Sequence, residues 1–125
     1  MSDVIGKANL EVFAETLLDE AKKNSNIIAV TSDSRGSGKL INYGQELPNQ
    51  IVEVGIAEQN LVGISAGLSA MGKKVFAVSP ASFLTARSLE QIKADISYSN
   101  LPVCLVGISA GISYGQLGST HHSIH

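Results

Sequence analysis

One carboxylate has a sequence setting that could serve chemistry. A β-branched run ends at Gly55, and an apolar-periodic segment of small residues begins almost at once, with Glu58 in its first turn. This pattern predicts a strand, a tight turn and a helix over residues 61–71. The turn would fix the Glu58 carboxylate at the carboxyl edge of a sheet, where open α/β folds bind their ligands. The structural alternative is that Glu58 only complements the helix dipole, as acids in a first turn often do.

Two further groups of residues follow predicted strands. Asp33 and Ser37 lie in a polar, glycine-rich loop after the apolar run 27–31, and Phe83 follows the predicted strand 74–79. Both loops would therefore lie at the same carboxyl edge as the glutamate. For Asp33 and Ser37 the alternative is ordinary turn chemistry, and for Phe83 it is burial in the core.

Hydrophobic periodicity predicts strands that alternate with helices. Apolar runs of strand length occupy residues 27–31, 74–79 and 101–108, and a helical pattern capped by Asn9 covers residues 10–23. Another helix is predicted over residues 85–98, with Leu89, Ile92 and Ile96 facing inward. This alternation predicts an α/β fold with an open, mainly parallel sheet and helices on both faces.

The helix predicted over residues 61–71 has an unusual distribution of small side chains. Its apolar stripe comprises Leu61, Ile64, Leu68 and Met71, while Gly63 and Gly67 lie on other faces. Each glycine costs about 1 kcal/mol relative to alanine in a helix interior, so a compensating contact is expected. Close approach by a second subunit and tight packing on the chain's own sheet are both open at this point.

Length and composition restrict the class of protein. The 125 residues are 44% hydrophobic and 16% charged, which fits one α/β domain over residues 1–125. A formal net charge of −2 gives no electrostatic footprint for nucleic acid or an anionic membrane. A single cysteine, Cys104, excludes a disulfide framework and is expected to be a buried, inert core residue. We expect no targeting or membrane-spanning segment, and a cytoplasmic location.

The segment VGIAEQNLVGISAGLSAMGKKV, which contains Glu58, resembles the stretch with the catalytic glutamate in thiamine diphosphate enzymes of the transketolase family. DSRGSG, ASFLTARSLEQI, NLPV and GSTHH also occur, in the family's order along the chain. Several ordered motifs at family-like intervals are far more specific than any one of them. The resemblance is to the family's pyrimidine-binding (Pyr) domain, and it implies the thiamine diphosphate-binding fold.

The resemblance assigns roles around the cofactor. It implies that Glu58 is the catalytic glutamate, which hydrogen-bonds N1′ of the aminopyrimidine ring of thiamine diphosphate. It also implies that Phe83 stacks on that ring, and that Asp33 and Ile56 lie among the cofactor-binding residues. The further aromatic residues of larger transketolases are replaced here by Ala86 and Leu89.

The resemblance also assigns substrate contacts, though with departures from the family. His121 matches the histidine that contacts the hydroxyls of the donor sugar, and Ser37 matches a serine near the substrate phosphate. Ser109 and Leu117 stand where transketolases commonly have histidine and aspartate. A substrate other than the usual pentose phosphates is therefore compatible with the sequence. The adjacent pair at residues 121–122 lacks a third ligand and predicts no metal site.

The resemblance further implies that the chain holds half of an active site. No GDG…N-type segment for diphosphate and Mg²⁺ is present in residues 1–125, and in the family this segment belongs to a separate PP domain. We therefore expect a PP-domain partner subunit that holds most of the Mg²⁺ contacts, a sugar phosphate substrate, and a homo-oligomer or heterotetramer. The chain resembles the C-terminal subunit of a two-chain transketolase and is expected to be incomplete at its C-terminus.

Three alternatives remain open from the sequence. Deoxyxylulose-5-phosphate synthases and the β subunits of 2-oxoacid dehydrogenases share the architecture and the cofactor with transketolases. A non-catalytic α/β module for oligomerisation or nucleotide binding would use the same glycine-rich loops. In that last case Glu58 has no privileged role.

Overall fold

The computed structural model describes residues 6–124 and contains one four-stranded sheet. The strands are β1 (Ile27–Thr31), β2 (Ile51–Glu53), β3 (Lys74–Pro80) and β4 (Val103–Ile108). Their order is β2-β1-β3-β4, and every neighbouring pair is parallel. All five residues of β1 are buried because this strand is central and both of its faces are covered. The predicted α/β class with a parallel sheet is confirmed.

Helical segments cover the two faces of the sheet. The α-helices are α1 (Asn9–Lys23), α2 (Ile41–Glu46), α3 (Glu58–Ala70), α4 (Ala81–Ala86) and α5 (Leu89–Gln91). A π-helical segment, Ile92–Tyr98, continues α5, and short 3₁₀ helices occupy Pro48–Gln50 and Gly115–Thr120. The elements over residues 41–50 lie in a stretch predicted as loop.

Two apolar clusters form the core, one on each face. On one face α1 and α2 contribute Leu17 and Tyr43 to a cluster with Ala29 of β1. On the other face α3 contributes Leu61, and the π-helical segment contributes Ile96. The sheet between the two clusters therefore presents only its edges and strand ends to other contacts.

The helix predicted over residues 85–98 is interrupted. The chain becomes helical earlier, at Ala81, and leaves helical geometry at Ser88, whose buried hydroxyl donates a hydrogen bond to the Leu84 carbonyl at 2.5 Å. Helical spacing does not carry across this break. Leu89 is therefore 65% exposed, contrary to the predicted inward stripe, whereas Ile96 is buried as expected.

Three smaller predictions are wrong. Helix α1 begins at Asn9 itself, after an Ala8 cap position without a side-chain hydrogen bond, so Asn9 is not its cap. Met71 ends α3 and is 82% exposed. Cys104 is exposed rather than buried, since β4 is an edge strand and Cys104 borders an open groove shared with α1 residues such as Phe13.

The glycines of α3 have no close neighbour that requires them. A methyl group at Gly63 would lie 3.8 Å from a carboxylate oxygen of Asp95, which is an ordinary contact distance. At Gly67 nothing among the described residues lies within 4 Å. Tight packing on the chain's own sheet therefore does not explain these glycines, and contact with a second subunit stays a prediction.

No helix within residues 6–124 combines the length and the apolar character needed to cross a bilayer.

Candidate functional site

The carboxyl ends of β1 and β3 form the reversal point of the sheet. The chain leaves β1 towards β2 on one side, and then crosses over to place β3 on the other side. In open α/β sheets, the crevice outside such a reversal is where ligands bind. The buried hydroxyls of Ser32 and Ser79 lie 2.7 Å apart at this point, and the Ser34 hydroxyl donates to the Val78 carbonyl at 2.9 Å. Side-chain hydrogen bonds thus join the two loops at the crevice.

Glu58 is the first residue of α3 and is almost fully buried. The turn before it uses Gly55 with a φ of 73°, a conformation that glycine adopts without steric cost. Only 1% of Glu58 is exposed, and its carboxylate oxygen Oε2 accepts a hydrogen bond from Arg87 at 2.5 Å. The predicted placement of the carboxylate at the carboxyl edge of the sheet is what the structure contains.

Arg87 also contacts the candidate stacking residue. The guanidinium carbon of Arg87 lies 4.7 Å from the centre of the Phe83 ring, over its face. Phe83 lies in the first turn of α4 rather than in a loop, and belongs to neither core cluster. Its ring meets the His121 ring edge-on at 5.0 Å between centroids, and Tyr114 approaches His121 from elsewhere at 5.5 Å. Three residues predicted from separate motifs therefore lie in one connected cluster.

A cleft of about 450 Å³ lies beside this cluster. Its lining comprises Ser82, Phe83, Ala86, Arg87, Ser119, Thr120 and His122. Two of the lining residues have buried polar atoms without a hydrogen-bond partner among residues 6–124, Ser82 Oγ and His122 Nε2. Buried polar groups in native proteins are nearly always paired, so these atoms indicate that the cleft suits a polar ligand.

Asp33 belongs to a second cluster, organised by Glu53 at the end of β2. Asp33 has a φ of 55°, unusual for a residue other than glycine, and its backbone N–H donates to Glu53 Oε1 at 2.6 Å. The same oxygen accepts from the Gly55 N–H at 3.1 Å, while Oε2 accepts from the Thr31 hydroxyl at 2.9 Å. The Arg35 guanidinium lies 3.3 Å from Oε2. Glu53 therefore connects the loop that carries Asp33 with the turn that leads to the catalytic candidate.

The environment of Glu53 perturbs its ionisation. Burial by itself raises the pKa of this carboxyl group. The hydrogen bonds from Asp33, Thr31 and Gly55 and the charge of Arg35 outweigh that effect and hold the pKa below the usual value.

The other two predicted residues lie at the surface. Ser37 is exposed, and its hydroxyl donates to the Ser34 carbonyl at 3.3 Å. Ile56 is 73% exposed, in the turn before Glu58. Neither joins the cluster around Arg87 through a contact within the described part of this chain. Their predicted roles towards substrate and cofactor stay predictions.

Sequence reasoning missed Arg87 and Glu53. A signal for Arg87 was present, since it follows Phe83 by four residues and such pairs share a helix face. The contacts of Glu53 depend on a turn conformation that the sequence does not specify. Within residues 6–124, no group of three or more histidine, cysteine, aspartate or glutamate side chains is placed to hold a metal ion.

Comparison with families and solved structures gives matches along most of the chain. The family model described as "Transketolase, pyrimidine binding domain" matches residues 6–125. Among solved structures, a chain described as "Split gene transketolase, inactive beta4 tetramer" is similar, with a TM-score of 0.80 and 34% sequence identity. That similarity covers 95% of this chain and 37% of the other.

Two curated relatives represent the enzymes that share this region. One of the two subunits of the apulose-4-phosphate transketolase of Phocaeicola vulgatus is 56% identical over 113 residues, which are 90% of this chain and 36% of the relative. The 1-deoxy-D-xylulose-5-phosphate synthase of Desulfotalea psychrophila is 36% identical over 113 residues, 90% of this chain and 17% of the relative. The chain thus spans well under half the length of either relative.

Proposed function

Because the chain belongs to the transketolase pyrimidine-binding domain family, we propose that it supplies one half of the active site of a thiamine diphosphate-dependent transketolase. The reaction is transfer of a two-carbon ketol unit from a ketose phosphate to an aldose phosphate. The observation that carries this proposal is the placement of buried Glu58 at the start of α3, joined through Arg87 to Phe83 and His121.

Glu58 is the residue proposed to act on the cofactor's protonation. When bound, thiamine diphosphate supplies the carbanion chemistry that breaks a carbon–carbon bond beside a ketone. The Glu58 carboxylate would share a proton with ring atom N1′, and its burial keeps water from competing for that hydrogen bond. Phe83 would present an aromatic face to the pyrimidine, since it lies outside both core clusters and borders the cleft. Asp33 and Ile56 are proposed to complete the contacts with the cofactor.

The cleft is proposed to hold part of the sugar phosphate. His121 would contact the donor's hydroxyl groups, and Ser37 would lie near its phosphate. The buried, unpartnered atoms Ser82 Oγ and His122 Nε2 support a polyhydroxylated ligand, because such a ligand can satisfy both. The Phocaeicola relative is named for apulose 4-phosphate, and we propose a ketose phosphate of that kind as the donor. The departures at Ser109 and Leu117 agree with a donor other than the usual pentose phosphates.

The other half of the site is proposed to come from a PP-domain partner subunit. Residues 1–125 contain no segment suited to a diphosphate, so the partner would hold the diphosphate and most of the Mg²⁺ contacts. The assembly would be a heterotetramer or a homo-oligomer of larger units. A similar chain from a split gene transketolase is described as an inactive tetramer of β chains, which supports the requirement for a partner.

A reconstitution assay tests this proposal. The purified chain would be supplied with thiamine diphosphate, Mg²⁺, apulose 4-phosphate or xylulose 5-phosphate, and an aldose phosphate, with and without the candidate PP subunit. Turnover is expected only in the presence of the partner. Turnover by the chain alone would contradict the half-site proposal, and no turnover with any ketose phosphate in the assembled complex would contradict the reaction.

A second candidate reaction is supported by one comparison. The match to 1-deoxy-D-xylulose-5-phosphate synthase extends over 90% of this chain. In this alternative the donor is a 2-oxoacid, and carbon dioxide leaves during the reaction. The same assembled complex would distinguish the two, because only a 2-oxoacid donor releases carbon dioxide.

A further inference from the structure

One guanidinium group contacts both side chains that are proposed to hold the pyrimidine. Arg87 donates to Glu58 Oε2 at 2.5 Å, and its planar group lies over the Phe83 ring at 4.7 Å. Building on the proposed function, we propose that Arg87 is a positioning residue. It fixes the Glu58 carboxylate relative to the Phe83 ring before the cofactor binds.

The burial of the two charges differs in a way that makes Glu58 depend on Arg87. The Glu58 side chain is 2% exposed, while the Arg87 side chain is 44% exposed. Arg87 retains access to water, but Glu58 has little. A buried carboxylate that loses its partner carries an uncompensated desolvation penalty, whereas an exposed guanidinium does not.

The backbone around Arg87 is itself anchored at both sides of the site. The Arg87 N–H donates to the Phe83 carbonyl at 3.0 Å, so the two residues share a helical turn of α4. The Gln59 side-chain amide donates to the Arg87 carbonyl at 3.2 Å, which ties this segment to α3 beside Glu58. The guanidinium therefore starts from a fixed backbone position and does not need to search for its two contacts.

The geometry assigns separate tasks to the two carboxylate oxygens of Glu58. Arg87 binds Oε2, so Oε1 is the oxygen for the pyrimidine nitrogen. Lysine could supply a positive charge, but it lacks a flat group that can donate sideways and stack at the same time. Replacement of Arg87 by lysine is therefore expected to restore only part of its effect.

The first test measures the Glu58–Arg87 pair without any cofactor. Free energies of unfolding would be compared for the chain, Arg87→Ala, Glu58→Gln and the double variant. We expect Arg87→Ala to destabilise the chain, and to destabilise it much less when Glu58→Gln has removed the buried charge. Equal losses in the two backgrounds would overturn the assigned pairing, whether or not the proposed reaction is correct.

The second test measures the effect on cofactor binding in the complex with the PP subunit. Thiamine diphosphate affinity would be measured by calorimetry in the presence of Mg²⁺ for Arg87→Ala, Arg87→Lys and Lys93→Ala, an exposed residue on the following helical segment. We expect about tenfold weaker binding for Arg87→Ala, equivalent to about 1.4 kcal/mol, a smaller loss for Arg87→Lys, and no change for Lys93→Ala.

Added guanidinium distinguishes a positioning role from a merely structural one. The cleft beside Arg87 is open to small molecules, so millimolar guanidinium chloride should restore part of the affinity of Arg87→Ala, while urea should not. Unchanged affinity in Arg87→Ala, or restoration by neither reagent, would overturn the positioning role. Failure of the unsubstituted complex to bind the cofactor would instead overturn the proposed function.

Discussion

The hydroxyl oxygens of Ser32 and Ser79 lie 2.7 Å apart, and both residues are buried. Ser32 follows β1 and Ser79 lies near the end of β3, so this hydrogen bond closes the sheet at the point where the strand order reverses. It holds together the loops from which the candidate site is built. Neither hydroxyl needs to touch a ligand to influence the site.

We predict that Ser79→Ala destabilises the fold by about 1–3 kcal/mol, because it leaves the Ser32 hydroxyl buried with one partner fewer. The double variant Ser32→Ala/Ser79→Ala should lose less than the sum of the two single losses, since no polar atom is then left unpaired. Urea unfolding of the three variants measures both quantities. Simple additivity would show that the two hydroxyls act independently.

The lowered pKa of Glu53 predicts a specific acid sensitivity. Because the folded-state pKa lies below the usual 4.5, ionised Glu53 stabilises the fold above that pH. This contribution is lost as the pH falls below 4.5 and through the folded-state pKa. The free energy of unfolding of Glu53→Gln should therefore fall less steeply than that of the unsubstituted chain in this acid range.

Unfolding titrations at a series of pH values between about 7 and 3 would measure that slope. Glu20→Gln is the control, since Glu20 forms an exposed ion pair with Lys23. A slope for Glu53→Gln equal to that of the unsubstituted chain would rule out the proposed hydrogen-bonding role of this carboxylate.

Phe83→Ala should separate ligand binding from stability. Phe83 lies outside both core clusters, so we expect a loss of unfolding free energy well below the roughly 3–5 kcal/mol typical of a core phenylalanine. Phe76→Ala is the matched control, because Phe76 packs against the core and against Phe13. In the assembled complex, calorimetry should show weaker thiamine diphosphate binding for Phe83→Ala. A core-sized loss of stability would identify Phe83 as a structural residue instead.

The open surface at Gly67 predicts opposite effects of a small and a large side chain. Gly67→Ala should stabilise the isolated chain by up to about 1 kcal/mol, because alanine is the better helix former and no described residue of this chain obstructs it. Gly67→Leu should fold but should weaken assembly with the partner subunit. Light scattering of the mixed subunits measures assembly, with Glu20→Leu on α1 as the control. Undiminished assembly of Gly67→Leu would place the interface elsewhere.

The sequence predicted those parts of the fold that depend on local pattern. Strand β1 is a short apolar run between polar segments, and its prediction over residues 27–31 matches the structure. Helix α3 was predicted with Glu58 in its first turn, because Gly55 marks the turn and apolar spacing marks the helix. The break at Ser88 was missed, because serine is common in helices and its bond to Leu84 becomes visible only in three dimensions.

The candidate site could be predicted only in part, for a similar reason. Glu58, Phe83 and His121 were each identified through a motif, and the structure places them in one cluster. The residue that connects them, Arg87, lies 29 positions from Glu58 in sequence, and no local rule relates two such positions. The exposure of Cys104 was unpredictable for the same reason, since strand order alone decides which strand lies at an edge.

The most direct measurement of the central claim is the turnover of Glu58→Gln in the complex with the PP subunit. Glutamine keeps the shape of the side chain but cannot share a proton with N1′. We predict that turnover falls by about 10²–10⁴-fold, the usual contribution of an acid–base group, while the cofactor still binds. Glu90→Gln, an exposed control on α5, should retain full turnover. Turnover of Glu58→Gln within about threefold of the unsubstituted complex, with cofactor bound, would contradict the assignment of Glu58 and with it the proposed half-site.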